Sequence, residues 1–389
     1  MKVHHQLRTF EKILAEYDHK LPLHRFLISY YKQNKQMGSS DRRWASRYLY
    51  SYFRLGNALS DLPLVERLAI ADFLCNPTLS LVISEYLPSL VSEIEQFLEV
   101  KLNHIKEIYK DFNIEQVFPF TETLSATIDK TAFLRSFFIQ PDLFIRVKEA
   151  HLLLVKNMLA DHDVPVNEIS PVTLSVSNGT KLDQIISDQH LYHIQDLSSQ
   201  QTSAFFEPHV YEYWWDCCAA SGGKSLLLHD LQPDINLLVS DVRESSLINL
   251  EERFRLAGIK KYQKKVLDLL QNNDQVLHDF SFDGILLDAP CTGSGTWGRT
   301  PEMLTSFNAQ KVSYFNNLQK TIAGNVIKYL KPGKPLIYMT CSVFKAENED
   351  VVAYLLENYP LKLEKMELIK GYNHKADSMF AARLIRQTD

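Results

Sequence analysis

The sequence predicts an α/β protein in which an open, mainly parallel sheet follows an all-α region and a small α+β unit. Three observations predict this. From Val210 onward, short apolar runs alternate with helical stretches in a regular rhythm. From Met1 to about Val117, apolar residues recur at helical spacing and glycines are few. Between them, LFIRV (Leu143–Val147) and TLSV (Thr173–Val176) read as strands on either side of a helix over Ala150–Asp161, and Asn178-Gly179 reads as a turn. The expected divisions are residues 1–125, 135–205 and 206–389.

Bulk properties narrow the class. At 389 residues, 45% apolar and 23% charged, the chain is too long for one ordinary core and has the balance of a soluble globular protein. No apolar run reaches membrane-spanning length. The opening MKVHHQLRTFEKIL reads as an amphipathic helix with Glu11 and Glu16 close by, without the apolar centre of a signal peptide, so a cytoplasmic location is expected. The five cysteines (Cys75, Cys217, Cys218, Cys291 and Cys341) form no C-x-x-C pair, which points away from a disulfide framework and a structural zinc site, and no metal is expected. The net charge of −5 argues against a uniformly basic coat. It hides polarity, because residues 1–60 hold 11 Lys and Arg against 4 Asp and Glu, whereas residues 61–130 hold 5 against 12.

The helical region offers four strong periodic stretches: RTFEKILAEY, HRFLISYYKQ, DRRWASRYLYSYFRLGNAL and SLVISEYLPSLVSEIEQFLEVKL. Ser40 or Asp41 is a candidate cap for the third. On that helix Arg42, Arg43, Arg47 and Arg54 interleave with Trp44, Tyr48, Tyr50 and Tyr52. Such a face is either solvated or laid against RNA phosphates, and the residues alone leave both open. Phe118 to Leu134, richer in Thr, Pro and Phe, reads as a linker.

The second half is organised around WDCCAASGGKS (Trp215–Ser225), a strand, a small-residue turn and a helix start. That sequence of elements suits a nucleoside cofactor lying close to the backbone and its N–H groups. It is not the phosphate loop G-x-x-x-x-G-K-[ST], because no Gly stands five residues before Gly223. Further strands end in Asp241, Asp268, Asp288 and Cys341, which a parallel sheet would gather along one edge. Asp241 could accept hydrogen bonds from a ribose diol, and Asp268 could face an adenine amino group.

Asp288-Ala289-Pro290-Cys291 and Thr340-Cys341-Ser342 complete a set that resembles the RNA cytosine-5 methyltransferases of the Nop/Sun group. The resemblance rests on DCCAASGGKS (Asp216–Ser225), DAPC followed by TGSG (Asp288–Gly295) and TCSVFKAENE (Thr340–Glu349), in order through most of residues 196–349. It implies a Rossmann-like domain using S-adenosylmethionine, held by Cys218, Ala219, Ala220, Ser221, Gly222, Gly223, Lys224, Asp241, Asp268 and Asp288. It implies Cys341 as nucleophile, Cys291 as the group assisting product release, Asp288 on the cytosine edge and Lys224 favouring a thiolate. The helix DRRWASRYLYSYFR looks like part of a NusB-like RNA-binding domain, and the unit around LFIRVK looks like the group's small domain. Arg42, Arg43, Arg47, Arg146 and Arg299 are the expected RNA contacts.

Several positions depart from the group's pattern. Ser221 replaces the usual Pro, Ser225 a Thr, and Ser246 a frequent Arg. Gly298-Arg299-Thr300-Pro301 and Asp377-Ser378-Met379-Phe380 replace a more basic segment and an Asp-Gly-Phe-Phe-like run. The expected activity is cytosine-5 methylation of RNA by a monomer, with ribosomal RNA as substrate. The alternatives are transfer RNA as substrate, or an RNA-binding assembly protein that keeps the fold without turnover.

Overall fold

The computed structural model describes residues 2–388, and its contacts divide the chain into two units. A helical unit holds the chain up to Glu122, together with Asp129–Gln140 and Trp297–Asn308. A sheet unit holds Thr123–Ile128, Pro141–Thr296 and the chain from Ala309 on. The grouping is therefore into two bodies, with the small α+β region inside the sheet unit.

In the helical unit the main helices are α1 (Lys2–Glu16), α2 (Leu23–Gln33), α3 (Ser39–Arg54), α4 (Leu64–Cys75), α5 (Leu81–Tyr86), α6 (Leu98–Ile108) and α7 (Lys130–Ser136). Helix α1 buries Val3, Leu7, Phe10 and Ile13, one apolar stripe at three- and four-residue spacing. Helix α4 is buried continuously from Arg67 to Leu74 and so forms the centre of this unit. The expected cap of α3 is not found. Its N-cap is Gly38, without a side-chain bond, and Asp41 lies inside the first turn, where a carboxylate favours the helix dipole. The region expected as a linker is partly core. Phe118 is fully buried and its ring stacks on Phe137 at 5.8 Å between centroids.

The arginines of α3 correct the sequence reading. Asp72 of α4 is wholly buried, and Arg47 meets it with Nε at 2.7 Å from Oδ1 and Nη2 at 3.0 Å from Oδ2. Arg47 also donates to the Thr78 hydroxyl and carbonyl, so its donors serve the fold instead of an RNA phosphate. Arg54 is buried as well, donating to the carbonyls of Phe137 and Gly298 and to Gln140 Oε1. Arg43 is exposed, and Arg42 lies over the Tyr31 ring.

In the sheet unit, β1 (Leu143–Val147), β2 (Val166–Ser170), β3 (Thr173–Val176) and β4 (Tyr192–Ile194) form an antiparallel sheet in the order β2-β3-β1-β4. Helix Leu152–Ala160 covers it with Val155 and Leu159, packed on Ile145, Val147, Leu174 and Val176. A second sheet has seven strands: β5 (Tyr213–Asp216), β6 (Asn236–Asp241), β7 (Gln263–Val266), β8 (Gly284–Asp288), β9 (Pro335–Thr340), β10 (Leu361–Ile369) and β11 (Met379–Arg386). Their order is β10-β11-β9-β8-β5-β6-β7. The pairs from β9 to β7 are parallel, and β11 and β10 join antiparallel at one edge. The strand order reverses between β5 and β8, which is where an open sheet of this kind leaves a crevice at its carboxyl ends. Trp214 and Trp215 of β5 are fully buried, and a Cβ on Gly284 of β8 would stand 2.5 Å from the Trp214 ring. Only glycine permits that strand spacing.

Replacing Arg47 with Ala leaves the Asp72 carboxylate buried without its cation. We expect a loss of about 3 kcal/mol in urea unfolding, the magnitude for breaking one side of a buried ion pair.

Candidate active site

The chain leaves β5 at Asp216, turns through Cys217–Gly222 and enters helix Gly223–Leu231. Gly222 has φ +82°, and a Cβ there would lie 2.8 Å from Leu250 Cγ, so conformation and space both require glycine. The turn's N–H groups are more engaged than the sequence suggested. Ala219 donates to the Ser240 carbonyl (2.9 Å), Ala220 to Asp241 Oδ2 (3.0 Å) and Gly222 to the Ala219 carbonyl (2.7 Å). Ser221, in place of the expected Pro, accepts from Arg253 Nη1 through both its carbonyl (3.0 Å) and its hydroxyl (3.1 Å). Cys217 is a packing residue whose thiol donates to the Leu286 carbonyl, and Cys218 is half-buried.

Asp241 is buried at the end of β6, where it accepts the N–H groups of Ala220 and Arg243 and pairs with Arg243 Nε at 3.2 Å. A carboxylate has about four acceptor sites, and with three taken about one remains for a further hydroxyl. Asp268, half-buried just beyond β7, accepts the Leu270 N–H at 3.0 Å and so also closes a turn. Asp216 ends β5, directly before the Cys217–Gly222 turn. It is fully buried, accepts the Ser225 hydroxyl, and burial pushes its carboxyl up to about 7.

Lys224, on the first turn of helix Gly223–Leu231, is 7% exposed. Its ammonium donates to Asp288 Oδ2 (3.1 Å) and Ser199 Oγ (2.8 Å) and lies 3.6 Å from the Met379 sulfur. Its ion-pair partner is thus Asp288, and any influence on a thiol passes through that carboxylate. Behind it, Gln195 Nε2 donates to Ser199 Oγ (3.1 Å), and Gln195 Oε1 accepts from Arg146 Nε (3.0 Å). Arg146, expected at an RNA contact, is buried and paired with Asp230. It supports the lysine from inside. Arg299 sits in the segment that clusters with the helical unit.

The two cysteines come together because β8 and β9 are parallel neighbours, with Asp288 opposite Met339. The DAPC and TCS loops therefore leave the sheet side by side, and the sulfurs of Cys291 and Cys341 lie 3.3 Å apart. The adjoining Cys341 thiol, and then burial, push the Cys291 thiol well above its usual range, so Cys291 holds its proton. Gly295 fastens the loops: its N–H donates to the Cys341 carbonyl (2.8 Å) and its carbonyl accepts from Ser378 N–H (2.9 Å). A Cβ at Gly295 would stand 2.2 Å from the Ser378 carbonyl oxygen. Asn348, fully buried, donates to the Ser342 carbonyl (2.9 Å) and accepts the Thr340 hydroxyl (2.6 Å).

The sequence reading missed Gln195, Ser199, Thr292, Ser342 and Glu347 as supports. Glu347 stood inside a quoted motif, but nothing in spacing says that a carboxylate before a helix turns inward. Gln195 and Ser199 flank an ordinary helix cap, Asp196.

The raised Asp216 carboxyl carries a linkage consequence. The folded state holds a proton that the unfolded chain releases from about pH 4, so stability falls as pH rises between about 4 and 7 and then levels off. At 1.36 kcal/mol per unit the full loss is about 4 kcal/mol. Asp216→Asn keeps an acceptor for Ser225 and should flatten this slope, read from urea unfolding at pH 5 and 7.5.

Residues 203–388 match the family model described as 16S rRNA methyltransferase RsmB/F. Proteins named ribosomal RNA small subunit methyltransferase B are similar in sequence. That of Shewanella oneidensis is 30% identical over 207 residues, covering 50% of this chain and 48% of the relative. That of Salmonella newport is 32% identical over 167 residues, covering 43% and 38%. The matches thus span less than half of each relative's own length. Among solved structures, that of PH0851 has a TM-score of 0.66 at 20% identity, covering 91% of this chain and 92% of that one. NSun6 from Pyrococcus horikoshii, solved with SFG, has a TM-score of 0.58 at 16% identity, covering 74% and 98%. At those identities the structures support the fold alone. Residues 203–388 of this chain are thus similar to the RsmB/F family of methyltransferases.

Proposed function

We propose that this protein methylates C5 of a cytosine in RNA, with ribosomal RNA as the substrate and S-adenosylmethionine as the methyl donor. The observation that carries the reading is the pair of sulfurs 3.3 Å apart, drawn from positions fifty residues apart and set at the carboxyl ends of adjacent strands. One thiol would serve a structural role as well as two. Two in contact beside a lysine–carboxylate pair suit an addition and elimination that need both a nucleophile and a proton acceptor.

The residues present suit the donor. Ala219, Ala220 and Gly223 carry little or no side chain to obstruct a ligand at the turn, and Asp241 and Asp268 stand at consecutive strand ends for a ribose diol and an adenine amino group. Cys218, Ser221, Gly222 and Lys224 complete this lining. When bound, S-adenosylmethionine supplies an electrophilic methyl group. The chain's own groups prepare C5 to receive it. C5 of cytosine is a weak nucleophile until the Cys341 thiolate adds to C6, which breaks the aromatic system and makes C5 enamine-like. Asp288, oriented by Lys224, hydrogen-bonds the cytosine edge and polarises N3 as the adduct forms. Once Cys341 is committed to the adduct, the contact that chiefly holds the proton on Cys291 is gone; Cys291 releases that proton to solvent and, as thiolate, takes the proton from C5, and the electron pair returning to the ring expels Cys341 from C6. The base must leave its stack to reach the sulfurs.

Arg43, exposed on α3, together with Arg42 and Arg299, remains as the proposed RNA-facing set; Arg47 and Arg146 are withdrawn from it because their donors are engaged inside the fold. Among the described residues no helix is long and apolar enough to cross a membrane, and we assign the activity to a monomer working in the cytoplasm.

Two substitutions separate the thiols. Cys341→Ala should reduce methyl transfer to ribosomal RNA, measured with labelled S-adenosylmethionine, by at least about 1,000-fold while donor binding persists; ordinary turnover would remove the mechanism. Cys291→Ser should instead accumulate a covalent protein–RNA species, visible as a shifted band in a denaturing gel. Absence of that band with a competent substrate would show that Cys291 does not resolve the adduct.

A further inference from the structure

The residues immediately after the two cysteines share one partner. Glu347 is fully buried, and its carboxylate accepts four hydrogen bonds. Oε1 takes the Thr292 N–H (2.9 Å) and Gln319 Nε2 (3.2 Å), while Oε2 takes the Thr292 hydroxyl (2.6 Å) and the Ser342 hydroxyl. Thr292 follows Cys291 and Ser342 follows Cys341. The glutamate itself is fixed from outside both loops. Its carbonyl accepts the Tyr338 hydroxyl at 2.6 Å, and Gln319 also donates to the Pro290 carbonyl at 3.0 Å. Four donors, two of them hydroxyls that rotate to suit, saturate a carboxylate that burial would otherwise penalise.

We propose that Glu347 is a positioning residue that clamps the DAPC and TCS loops together and so sets the contact between the Cys291 and Cys341 sulfurs. The proposal rests on the methyltransferase reading for its functional meaning, but its geometry does not. Hydrogen bonds across β8 and β9 end at the strands, and beyond them the loops are held by contacts of their own, with Ser294 Oγ accepting the Val343 N–H at 3.0 Å and lying 3.1 Å from the Ser342 hydroxyl. The Gly295–Cys341 bond joins the loops through backbone. Glu347 joins them through side chains directly beside each sulfur. A shift of about 1 Å between reacting groups costs on the order of 100-fold in rate, so a clamp at this place acts on the chemical step.

The experiment is a comparison of Glu347→Ala, Glu347→Gln and Thr292→Val in the full-length protein. Diamide, which oxidises neighbouring thiols to a disulfide while it is reduced to the hydrazine, reports how often the two sulfurs meet. Disulfide formation between Cys291 and Cys341 is followed by peptide mass spectrometry. In Glu347→Ala it should slow at least tenfold, and methyl transfer should lose at least tenfold in kcat with KM for S-adenosylmethionine within twofold. Glu347→Gln should restore both to within about threefold, because an amide keeps the oxygen for the N–H donors and offers its NH2 to the two hydroxyls. A folded Glu347→Ala protein that couples its sulfurs at the wild-type rate overturns the proposal. If Glu347→Ala does not fold, Thr292→Val decides. It keeps the side-chain shape and removes one donor, so slower coupling supports the clamp and an unchanged rate overturns it. Should the unmodified protein fail to methylate RNA, the diamide rates still test the clamp, and only the methyltransferase reading is lost.

Discussion

The parallel pairing of β8 with β9 is the constraint on which the rest of the site depends. Parallel neighbours point their carboxyl ends the same way, so whatever follows each strand must emerge on one edge. The register that sets Asp288 against Met339 then fixes how far each loop has travelled when it reaches its sulfur. Two residues separate Asp288 from Cys291, whereas Cys341 follows the last residue of β9 directly. A slip in that register would carry the two thiols apart without altering a single side chain in the loops.

Several buried charges in this molecule are matched by an opposite charge or a full set of hydrogen bonds. Asp72 has Arg47, Lys224 has Asp288, and Glu347 has four hydrogen bonds. The physical reason is desolvation, which makes an uncompensated ion in the interior cost several kcal/mol. Asp216, with a single hydroxyl donor in reach, and Glu302, whose Oε2 has no partner, lack that compensation, and burial raises both carboxyls.

The sheet was legible because it follows from local pattern, whereas the two cysteine loops stood out through their resemblance to the Nop/Sun group. Apolar runs of strand length alternated with helical stretches, and the polar residue at each strand end stood out against them. The partners of buried polar groups were not legible. Arg47 and Arg146 look like surface cations in sequence, yet each answers a carboxylate that lies 25 or 84 positions away and that folding brings inside. The last two strands were also missed. β10 has a bulge between Leu363 and Lys365 that breaks its alternation, and β11 is buried along nearly its whole length. The span Phe118–Leu134 misled for the opposite reason, since prolines and threonines suggested a tether while its phenylalanines belonged to a core.

The excursion Trp297–Asn308 has a consequence for dissecting the protein. It leaves the sheet unit directly after the Gly295 stitch, packs Trp297 against Phe118 and Phe307, receives Leu23 N–H on Glu302, and then returns. A fragment cut at residue 206 would keep this loop, with Trp297 still against Phe307, but discard Phe118 and Leu23, so the indole would lose part of its cover and Glu302 its backbone donor. Such a piece would be prone to self-association, and its inactivity would say nothing about which half of the chain holds the chemistry.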